Sequence, residues 1–319
     1  MSTKEKDSRS NNVKRWSNEF VDKGNWKSYN EEHVMRGEFL LPIDMFGNWN
    51  EELEKMNEDK KGRPYEFPES FIKIHAVWHQ WVDNRGLEGI ARSLERLCLI
   101  PYHDDYTTTW YRVRGMIPEI KPPTYDEVEA GLDGTGFKTG NAGEYRTFVY
   151  GEIRRKYLKI TITADVKPKK LLTVDVKTEG GSKPKAAAKH IELLKENGIK
   201  LKKFYGDGAY DTNEIFNAIG DSESAAKIMK NATAYRCRGS RRRRQEVRKY
   251  MKLGYKTWAK DAEYGLTWAI ERIFSSVKRK SGEDLRAGSP IGLIAEAMQK
   301  MWIYDEMVSY GRNSMLSTI

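Results

Sequence analysis

The sequence predicts two folded regions, an all-α region near the amino terminus and a longer α/β domain built on a mixed sheet. Between residues 71 and 97, apolar side chains recur every three or four positions, which is the period of an amphipathic helix. Three prolines between residues 118 and 123 end this pattern, and residues 160–164 alternate between apolar and polar side chains as a strand does. We therefore expect a domain boundary close to residue 123.

The region before this boundary divides in two. Residues 1–60 are polar and mixed in charge, and we expect a basic, partly disordered arm that includes a helix near Trp49–Asn57. Residues 61–122 follow as a helical domain, whose last helix is capped by Asp105 and extends to about Met116. A tight turn before that helix would make the domain helix-turn-helix-like, an arrangement that binds DNA. A helical bundle with solvated charges explains the same spacing equally well.

Residues 124–319 contain the pattern of an α/β domain with a mixed sheet and flanking helices. We expect strands at 127–138, 145–150, 156–166 and 170–178, a helix at 184–197, a strand at 199–205, a helix from 212, a strand at 227–235, and a helical last third. The first strand is expected to end in a glycine-rich turn. Consecutive strands followed by helix, strand, helix, strand and helix is the order of the ribonuclease-H-like fold.

The composition favours a polyanionic partner. Lys and Arg number 56 against 46 Asp and Glu, which gives a net charge of +10, and aromatic residues at 11% are too frequent for a disordered basic chain. No stretch approaches 18 apolar residues, so we expect no membrane span. Cys98 and Cys237 are too few for a disulfide framework, and no secretory signal is evident, so we expect a cytoplasmic protein.

Three carboxylates are candidates for a catalytic site. Asp133 and Asp207 each precede a glycine and are expected at the carboxyl ends of adjacent strands, where ligand sites of open α/β sheets lie. Glu271 falls on the rim of the apolar stripe of a later helix, from which it could reach those strand ends. Asp before Gly is also a common turn, and Glu on a basic helix is commonly an ion-pair partner. Asp165 and Asp175 are weaker candidates for the first position.

These residues lie in segments that resemble the DDE transposases of bacterial and archaeal insertion sequences. LDGTGF resembles the family segment with the first Asp, YGDGAYD the second, and AIERIFSSVKR the helix with the Glu. A family signature of Tyr, Arg, Glu and Lys matches at Tyr264, Glu271 and Lys278, whereas Thr267 stands at the Arg position. The resemblance extends to GRPYEFPESFI and DYTTTWYRVRG in the helical region, which resemble the family's DNA-binding segment.

The resemblance implies a ribonuclease-H-like catalytic domain that cleaves and joins DNA strands at terminal inverted repeats. Asp133, Asp207 and Glu271 would hold two Mg²⁺ or Mn²⁺ ions. Lys278 would hold a phosphate beside Tyr264. The implied partners are double-stranded DNA, both element ends and target, and a second copy of the chain, in the nucleoid of a prokaryotic host. A metal-dependent nuclease of the same fold and a catalytically inactive DNA-binding regulator are the alternatives.

Two basic segments are candidates for DNA contact. The densest positive stretch begins at residue 236, and its candidate ligands of phosphate are Arg236, Arg238, Arg241, Arg242, Arg243 and Arg244. In the last helix of the helical region, the candidates are Thr107, Thr108, Arg112 and Arg114. A solvated loop would account for the first of these segments without any DNA.

Overall fold

A computed structural model of the chain describes residues 14–15, 18–19, 25–139, 157–178, 183–220, 223–226 and 240–317. Within these ranges, no helix is both long and apolar enough to cross a membrane. Near the amino terminus, the two-residue strands β1 (Lys14–Arg15) and β2 (Asn18–Glu19) pair in antiparallel orientation.

Helices make up most of the described residues between β2 and the main sheet. They are α1 (Trp26–Glu38), α2 (Trp49–Asn57), α3 (Glu69–Trp78), α4 (Asn84–Arg96) and α5 (Tyr106–Gly115), with a 3₁₀ helix at Ile43–Asn48. Aspartates start two of them: Asp83 accepts a hydrogen bond from the Gly86 amide, and Asp105 accepts from the amides of Thr107 and Thr108. The helical region expected from the apolar period is therefore confirmed, and α1 and α2 lie within the range predicted as an arm.

The connection between α4 and α5 differs from the expected tight turn. It comprises residues 97–105, which is longer than the three or four residues of a helix-turn-helix connection. Cys98 has a positive φ of 57° in this loop, and Ile100 is buried against the core of the helical region. The segment is thus a packed loop, because its apolar residues contribute to the core instead of turning directly into α5.

The main sheet has the strand order β5-β4-β3-β6-β7, with β8 paired to the end of β3. The strands are β3 (Glu127–Thr139), β4 (Tyr157–Asp165), β5 (Lys170–Thr178), β6 (Lys200–Gly206), β7 (Glu223–Ala226) and β8 (Asp284–Leu285). β3, β4 and β5 are antiparallel neighbours, whereas β6, β7 and β8 join by parallel pairings. This is the ribonuclease-H-like order that the sequence predicted.

Helices cover both faces of the sheet. They are α6 (Lys183–Glu196), α7 (Asn213–Ile219), α8 (Arg241–Asp261), α9 (Trp268–Ser281) and α10 (Pro290–Ser317), with 3₁₀ helices at Gly208–Tyr210 and Tyr264–Thr267. One core contains Phe137 with apolar residues of α8, α9 and α10, and the other contains Leu132 with those of α6 and α7. Alternation along β3 therefore assigns odd-numbered residues to the α9 face and even-numbered residues to the α6 face.

α10 connects the helical region to the sheet domain. The side-chain amide of Gln299 donates to the carbonyls of Val113 and Met116 at the end of α5, at 2.7 and 2.9 Å. The next residue, Lys300, is 2% exposed and donates to the carbonyls of Ser281, Gly282 and Asp284, which satisfies the C-terminal end of α9. Burial lowers the pKa of the Lys300 amine from its ordinary value.

Two details of the predicted strands differ from the structure. The glycine-rich segment after Asp133 is not a turn: β3 continues through Gly134 and Gly136, which pair with β4. The missing side chain at Gly134 leaves room for the neighbouring strand β4, because a Cβ there would lie 3.3 Å from the Ile160 carbonyl oxygen. The fifth strand of the fold is β7, and the strands predicted at 145–150 and 227–235 lie outside the described residues.

Candidate active site

Asp133 lies in the middle of β3 on the face covered by α9. Gly131, two residues earlier on the same face, lies so close to α9 that an added Cβ would be 2.9 Å from Cγ1 of Ile270. The absence of a side chain at Gly131 thus lets α9 pack directly against the strand. The Asp133 side chain is half-buried and accepts a hydrogen bond of 2.7 Å from the Gly134 amide.

Asp207 directly follows β6, which is the parallel neighbour of β3. The last residues paired between these strands are Gly131 and Tyr205, so Asp133 and Asp207 each lie two residues beyond that pair. Because side chains alternate, both carboxylates belong to the same face of the sheet. Asp207 is exposed and starts the 3₁₀ helix Gly208–Tyr210, and its carboxylate accepts 2.7 Å from the Ala209 amide.

Glu271 occupies the first turn of α9 and is exposed. Ile270 and Ile273 on either side are almost fully buried, which fixes the rotation of α9 and turns Glu271 out of the core. Burial of such a side chain contributes about 1.5–3 kcal/mol. A carboxylate in the first helical turn also lies near the positive end of the helix dipole.

Two of the three carboxylates line one open cavity, and the third shares an electrostatic neighbour with each of them. Asp133 and Glu271 line the same cavity, of about 480 Å³, together with Lys278 and Glu283. Burial, and then the charges of Asp133 and Asp207, raise the pKa of the Tyr210 phenol.

Tyr264 links the remaining pair of carboxylates. Burial first, and then Tyr255 and the charges of Asp207 and Glu271, raise the pKa of Tyr264 to about 12, although a hydrogen bond with Thr267 acts in the opposite direction. Each pair of the three carboxylates therefore shares either a cavity wall or an electrostatic neighbour, which the sequence alone could not establish.

The other signature residues also lie at this site. The Lys278 amine lies 5.5 Å from the centre of the Phe137 ring and 3.9 Å from a carboxylate oxygen of Glu283. Thr267, at the position of the signature Arg, donates its hydroxyl hydrogen to the Tyr264 carbonyl at 2.9 Å. Thr267 thus stabilises the turn that leads into α9. It cannot supply the positive charge that an arginine at this position would bring.

The donor set fits a hard divalent cation by its chemistry, since Asp and Glu oxygens are the ligands that Mg²⁺ and Mn²⁺ prefer. The Tyr210 hydroxyl, next to two of the carboxylates, is buried and has no hydrogen-bond partner within the described residues. The described residues contain no group of three or more His, Cys, Asp or Glu side chains already gathered as metal ligands. Asp133 and Asp207 instead accept from backbone amides next to them, so ion binding would require these side chains to turn inward.

The basic stretch before and within α8 divides into different environments. Arg236 and Arg238 lie outside the described residues, Arg241 is exposed, and Arg242 and Arg244 are half-buried. Arg243 is 5% exposed, and its guanidinium donates to both carboxylate oxygens of Asp211 at 2.8 and 2.9 Å. The expectation that Arg243 faces DNA does not fit this environment, because its charge is already paired inside the protein.

α5 carries exposed aromatic side chains and two half-buried arginines that lie over aromatic rings. Trp110 and Tyr111 are exposed, the Arg112 guanidinium lies 4.7 Å from the centre of the Tyr65 ring, and Arg114 lies 4.7 Å from the centre of the Trp110 ring. Arg114 also donates to the Ser289 hydroxyl at 3.1 Å, which directs it toward the start of α10.

The two threonines predicted as DNA contacts serve the helix cap. The Thr107 and Thr108 hydroxyls both donate to the Asp105 carboxylate. The hydrogen bond from Thr107 is the largest of the effects that lower the pKa of Asp105 to about 2. Each hydroxyl oxygen keeps its capacity to accept a further hydrogen bond, but its own hydrogen is already used.

Three residues of the site escaped sequence reasoning: Gly131, Asp211 and Glu283. Gly131 precedes the motif by two positions, and only the packing of Ile270 against it gives it a role. Asp211 is the second acidic residue of YGDGAYD, and its charge is the sequence signal that would indicate a partner for one of the arginines. Glu283 lines the carboxylate cavity and pairs with Lys138, a contact of long sequence separation that leaves no local pattern.

A mixed sheet in this strand order, with carboxylates on one face below a crossing helix, defines a ribonuclease-H-like domain. A family model described as "Transposase DDE domain" matches residues 127–305, which is more than half of the chain. The chain therefore belongs to the DDE transposase family, whose members take part in DNA recombination. No curated protein matches the sequence.

One chain among the solved structures is similar at low identity. It comes from the cryo-electron microscopy structure of a simian T-cell lymphotropic virus intasome in complex with the PP2A regulatory subunit B56 gamma. The identity is 12% and the TM-score 0.24, with 61% of this chain and 65% of that chain covered. The match thus spans less than two thirds of the intasome chain.

Proposed function

We propose that this protein is an insertion-sequence transposase that cleaves DNA at terminal inverted repeats and joins the freed end to target DNA. The observation that supports the proposal is that Asp133 and Glu271 line one open cavity, while the charge of Asp207 acts on Tyr210 together with Asp133 and on Tyr264 together with Glu271. A divalent cation bound there, two in the arrangement we favour, would supply Lewis-acid stabilisation of charge on the oxygens of a phosphodiester. Mg²⁺ and Mn²⁺ suit the three carboxylates, which are hard oxygen donors.

The remaining side chains of the cavity would orient the DNA. Lys278 reaches the cavity from the third turn of α9, two turns beyond Glu271, and is suited to hold a non-bridging phosphate oxygen. Tyr264 keeps its phenolic hydrogen at neutral pH, since its pKa is raised, and so can donate a hydrogen bond to a phosphate or a base. Phosphoryl transfer from water or from a 3′-hydroxyl needs no covalent protein intermediate, and we assign no nucleophile to the protein.

DNA is proposed to approach over two surfaces. One is the exposed aromatic and basic side of α5, and the other is the amino-terminal end of α8 with Arg241, Arg242 and Arg244. Two copies of the chain are proposed to act together on two DNA ends. We place the protein in the cytoplasm, on the nucleoid of a prokaryotic cell.

Cleavage of a linear duplex that carries the element's inverted repeats tests the proposal. With Mg²⁺ or Mn²⁺, we expect the unmodified protein to cut, and Asp133→Asn, Asp207→Asn and Glu271→Gln each to lose about 100-fold or more in rate. Loss of a metal ligand removes several kcal/mol of stabilisation, and 1.36 kcal/mol corresponds to tenfold.

Asp175→Asn is the matched control, because Asp175 is a half-buried carboxylate on β5 that pairs with Lys177 at 2.8 Å. It should keep the full rate of cleavage. DNA binding without cleavage by every protein, the unmodified one included, would identify a regulator instead. Cutting without any strand joining would identify a nuclease of the same fold.

A further inference from the structure

A second cavity, of about 640 Å³, lies on the neighbouring side of α9. It is bounded by α1, by the turn between β4 and β5, and by α9 and α10. Its cationic side chains are Arg36, Lys169, Arg272, Arg279 and Arg312, and Glu32 is the one carboxylate among the residues that line it. We call this set the basic pocket.

The positive charge of the basic pocket is only partly compensated by the protein. Glu32 pairs with Arg36 and lies 4.0 Å from Arg312, so a single carboxylate serves both. Arg272 lies over the Trp268 ring at 3.5 Å, a contact that leaves its charge in place. Within the described residues, no carboxylate is paired with Lys169 or Arg279.

Lys169 is held in the pocket by the backbone. It has a φ of 53° in the β4–β5 turn, a left-handed conformation that a lysine rarely adopts. Burial lowers its pKa, and the charges of Arg272 and Arg312 lower it further. An anion among these groups would relieve both the strain of like charges and the loss of solvation.

The basic pocket continues the carboxylate cavity. Ser275 and Arg279 of α9 line both cavities, and Glu271 and Arg272 are consecutive residues that line one cavity each. From Glu271 to Arg279, α9 rises about 12 Å, which equals roughly three to four nucleotides of a B-form strand. A strand that passes the carboxylates can therefore extend into the basic pocket.

Exposed aromatic rings stand at the entrance of the pocket. Trp26 is 54% and Tyr29 is 51% exposed, and their rings meet edge to face with centres 5.6 Å apart. Both belong to α1 and line the pocket. Aromatic faces beside a row of cations are typical of sites for single-stranded nucleic acid, where bases stack and phosphates pair. A site for free phosphate would not need them.

We propose that the basic pocket binds the phosphates of a single DNA strand, directly beside the carboxylate cavity, through Lys169, Arg272 and Arg279. This proposal rests on the proposed function for the identity of the strand but concerns binding alone. It assigns to α1 a direct role in holding the substrate, although α1 precedes the helical region that the sequence marks for DNA.

The test is the salt dependence of binding to a labelled 15-nucleotide single strand of mixed sequence, measured by fluorescence anisotropy without divalent cations. Each phosphate contact on a single strand contributes about 0.7 to the slope of log K against log salt. For the double variant Lys169→Gln/Arg272→Gln, we expect the slope to fall by about 1.4 and Kd to rise at least tenfold. The charge-conserving variant Lys169→Arg/Arg272→Lys should keep the slope and so exclude misfolding as the cause.

The matched control removes two exposed lysines from α6, on the opposite side of the sheet, as Lys185→Gln/Lys189→Gln. Equal slopes for this control and the pocket variant would overturn the proposal, because the effect would then follow from net charge alone. An unchanged slope together with lost binding of inorganic pyrophosphate would assign the pocket to a free phosphate compound and overturn it as well. This binding assay does not depend on cleavage. If the three carboxylates prove not to be catalytic, it still shows whether the basic pocket binds a single strand.

Discussion

The two arginine-containing helices α5 and α8 look alike as sequences and differ as structures. The sequence predicts that both face DNA, α5 from its helix-turn-helix-like position and its resemblance to the family's DNA-binding segment, and α8 from its density of positive charge. In α8, Arg243 is buried and forms a two-pronged pair with Asp211, which ties the helix to the loop that follows Asp207. In α5, Arg112 is half-buried and lies against the Tyr65 ring, without a carboxylate partner like that of Arg243 among the ion pairs of the described residues. Charge density along a chain therefore does not tell which cations are available to a ligand, since a single carboxylate in the fold can take one of them inward.

The largest effect should come from breaking the buried pair. Arg243→Met removes the two-pronged pair from the buried Asp211 carboxylate, and we expect the free energy of unfolding to fall by about 3–5 kcal/mol. The matched control is Arg241→Met, two residues away on the exposed side of α8, which should change stability by less than about 0.5 kcal/mol. Urea unfolding monitored by circular dichroism measures both. Similar losses in the two variants would break the comparison between buried and exposed arginines.

The buried side chain of His190 allows the same comparison of buried and exposed groups to be made for a residue whose charge depends on pH. His190 on α6 is 2% exposed and pairs with the Thr163 hydroxyl at 2.9 Å, and burial is the main cause that lowers its pKa to about 4. In the unfolded chain, His190 has an ordinary pKa near 6.5 and binds a proton more tightly than in the folded protein. The contribution of neutral His190 to folding stability is therefore complete above pH 6.5 and is lost as pH falls toward 4. It amounts to about 3 kcal/mol.

In His190→Gln, stability should depend less on pH between 6.5 and 4 than in the unmodified protein, even though the variant is less stable at pH 7. Unfolding by urea at a series of pH values gives the two curves. Parallel curves over this interval would show that His190 is not protonated differently in the folded and unfolded states.

The close packing between β3 and α9 predicts a smaller loss of stability, which should be accompanied by a loss of cleavage activity. Gly131→Ala places a Cβ 2.8 Å from Cγ1 of Val166 and 2.9 Å from Cγ1 of Ile270, so α9 must shift, at a cost of about 1–3 kcal/mol. Because α9 carries Glu271, cleavage should fall along with stability. Gly89→Ala is the control with the opposite sign, since Gly89 is exposed in α4 with open space around it and alanine favours a helix.

The smallest effect is expected on α5 itself. Arg112→Gln should change stability little, because the half-buried guanidinium loses a contact with one aromatic ring. It should reduce the salt slope of duplex binding by about 0.9 if Arg112 contacts one phosphate. Lys189→Gln on α6 is the control with the same loss of charge. A slope that is equal for Arg112→Gln, Lys189→Gln and the unmodified protein would remove Arg112 from the DNA surface.

The sequence predicted the order of elements in the α/β domain because strand alternation and helical period are local signals. The same signals placed Asp133 and Asp207 on neighbouring strands and Glu271 on a helix rim. They did not predict that β3 continues past Asp133, since glycines within a strand and glycines in a turn read alike. Gly134 belongs in the strand because it leaves room for the Ile160 carbonyl, a contact that no local pattern encodes.

Long-range contacts explain most of what sequence reasoning could not supply. Asp211 and Arg243 are separated by 32 positions, and Lys138 and Glu283 by 145, so neither pair forms a motif. α1 carries charged residues and a weak apolar pattern, which favoured an arm, yet it packs on α10 so closely that a Cβ on Gly311 would lie 2.8 Å from the Glu32 carbonyl oxygen. These residues acquire their roles only when the chain is folded.

Consecutive residues on α10 hold the ends of two different helices. Gln299 binds the carbonyls that end α5, and Lys300 binds those that end α9, with one peptide unit of about 3.8 Å between their Cα atoms. If α5 contacts a duplex as proposed, a force on α5 would act on the segment of α10 that also binds the end of α9. The helix proposed to contact DNA and the helix that bears Glu271 are thus hydrogen-bonded to neighbouring residues of α10, so a rotation of either one would strain hydrogen bonds made by the same short segment.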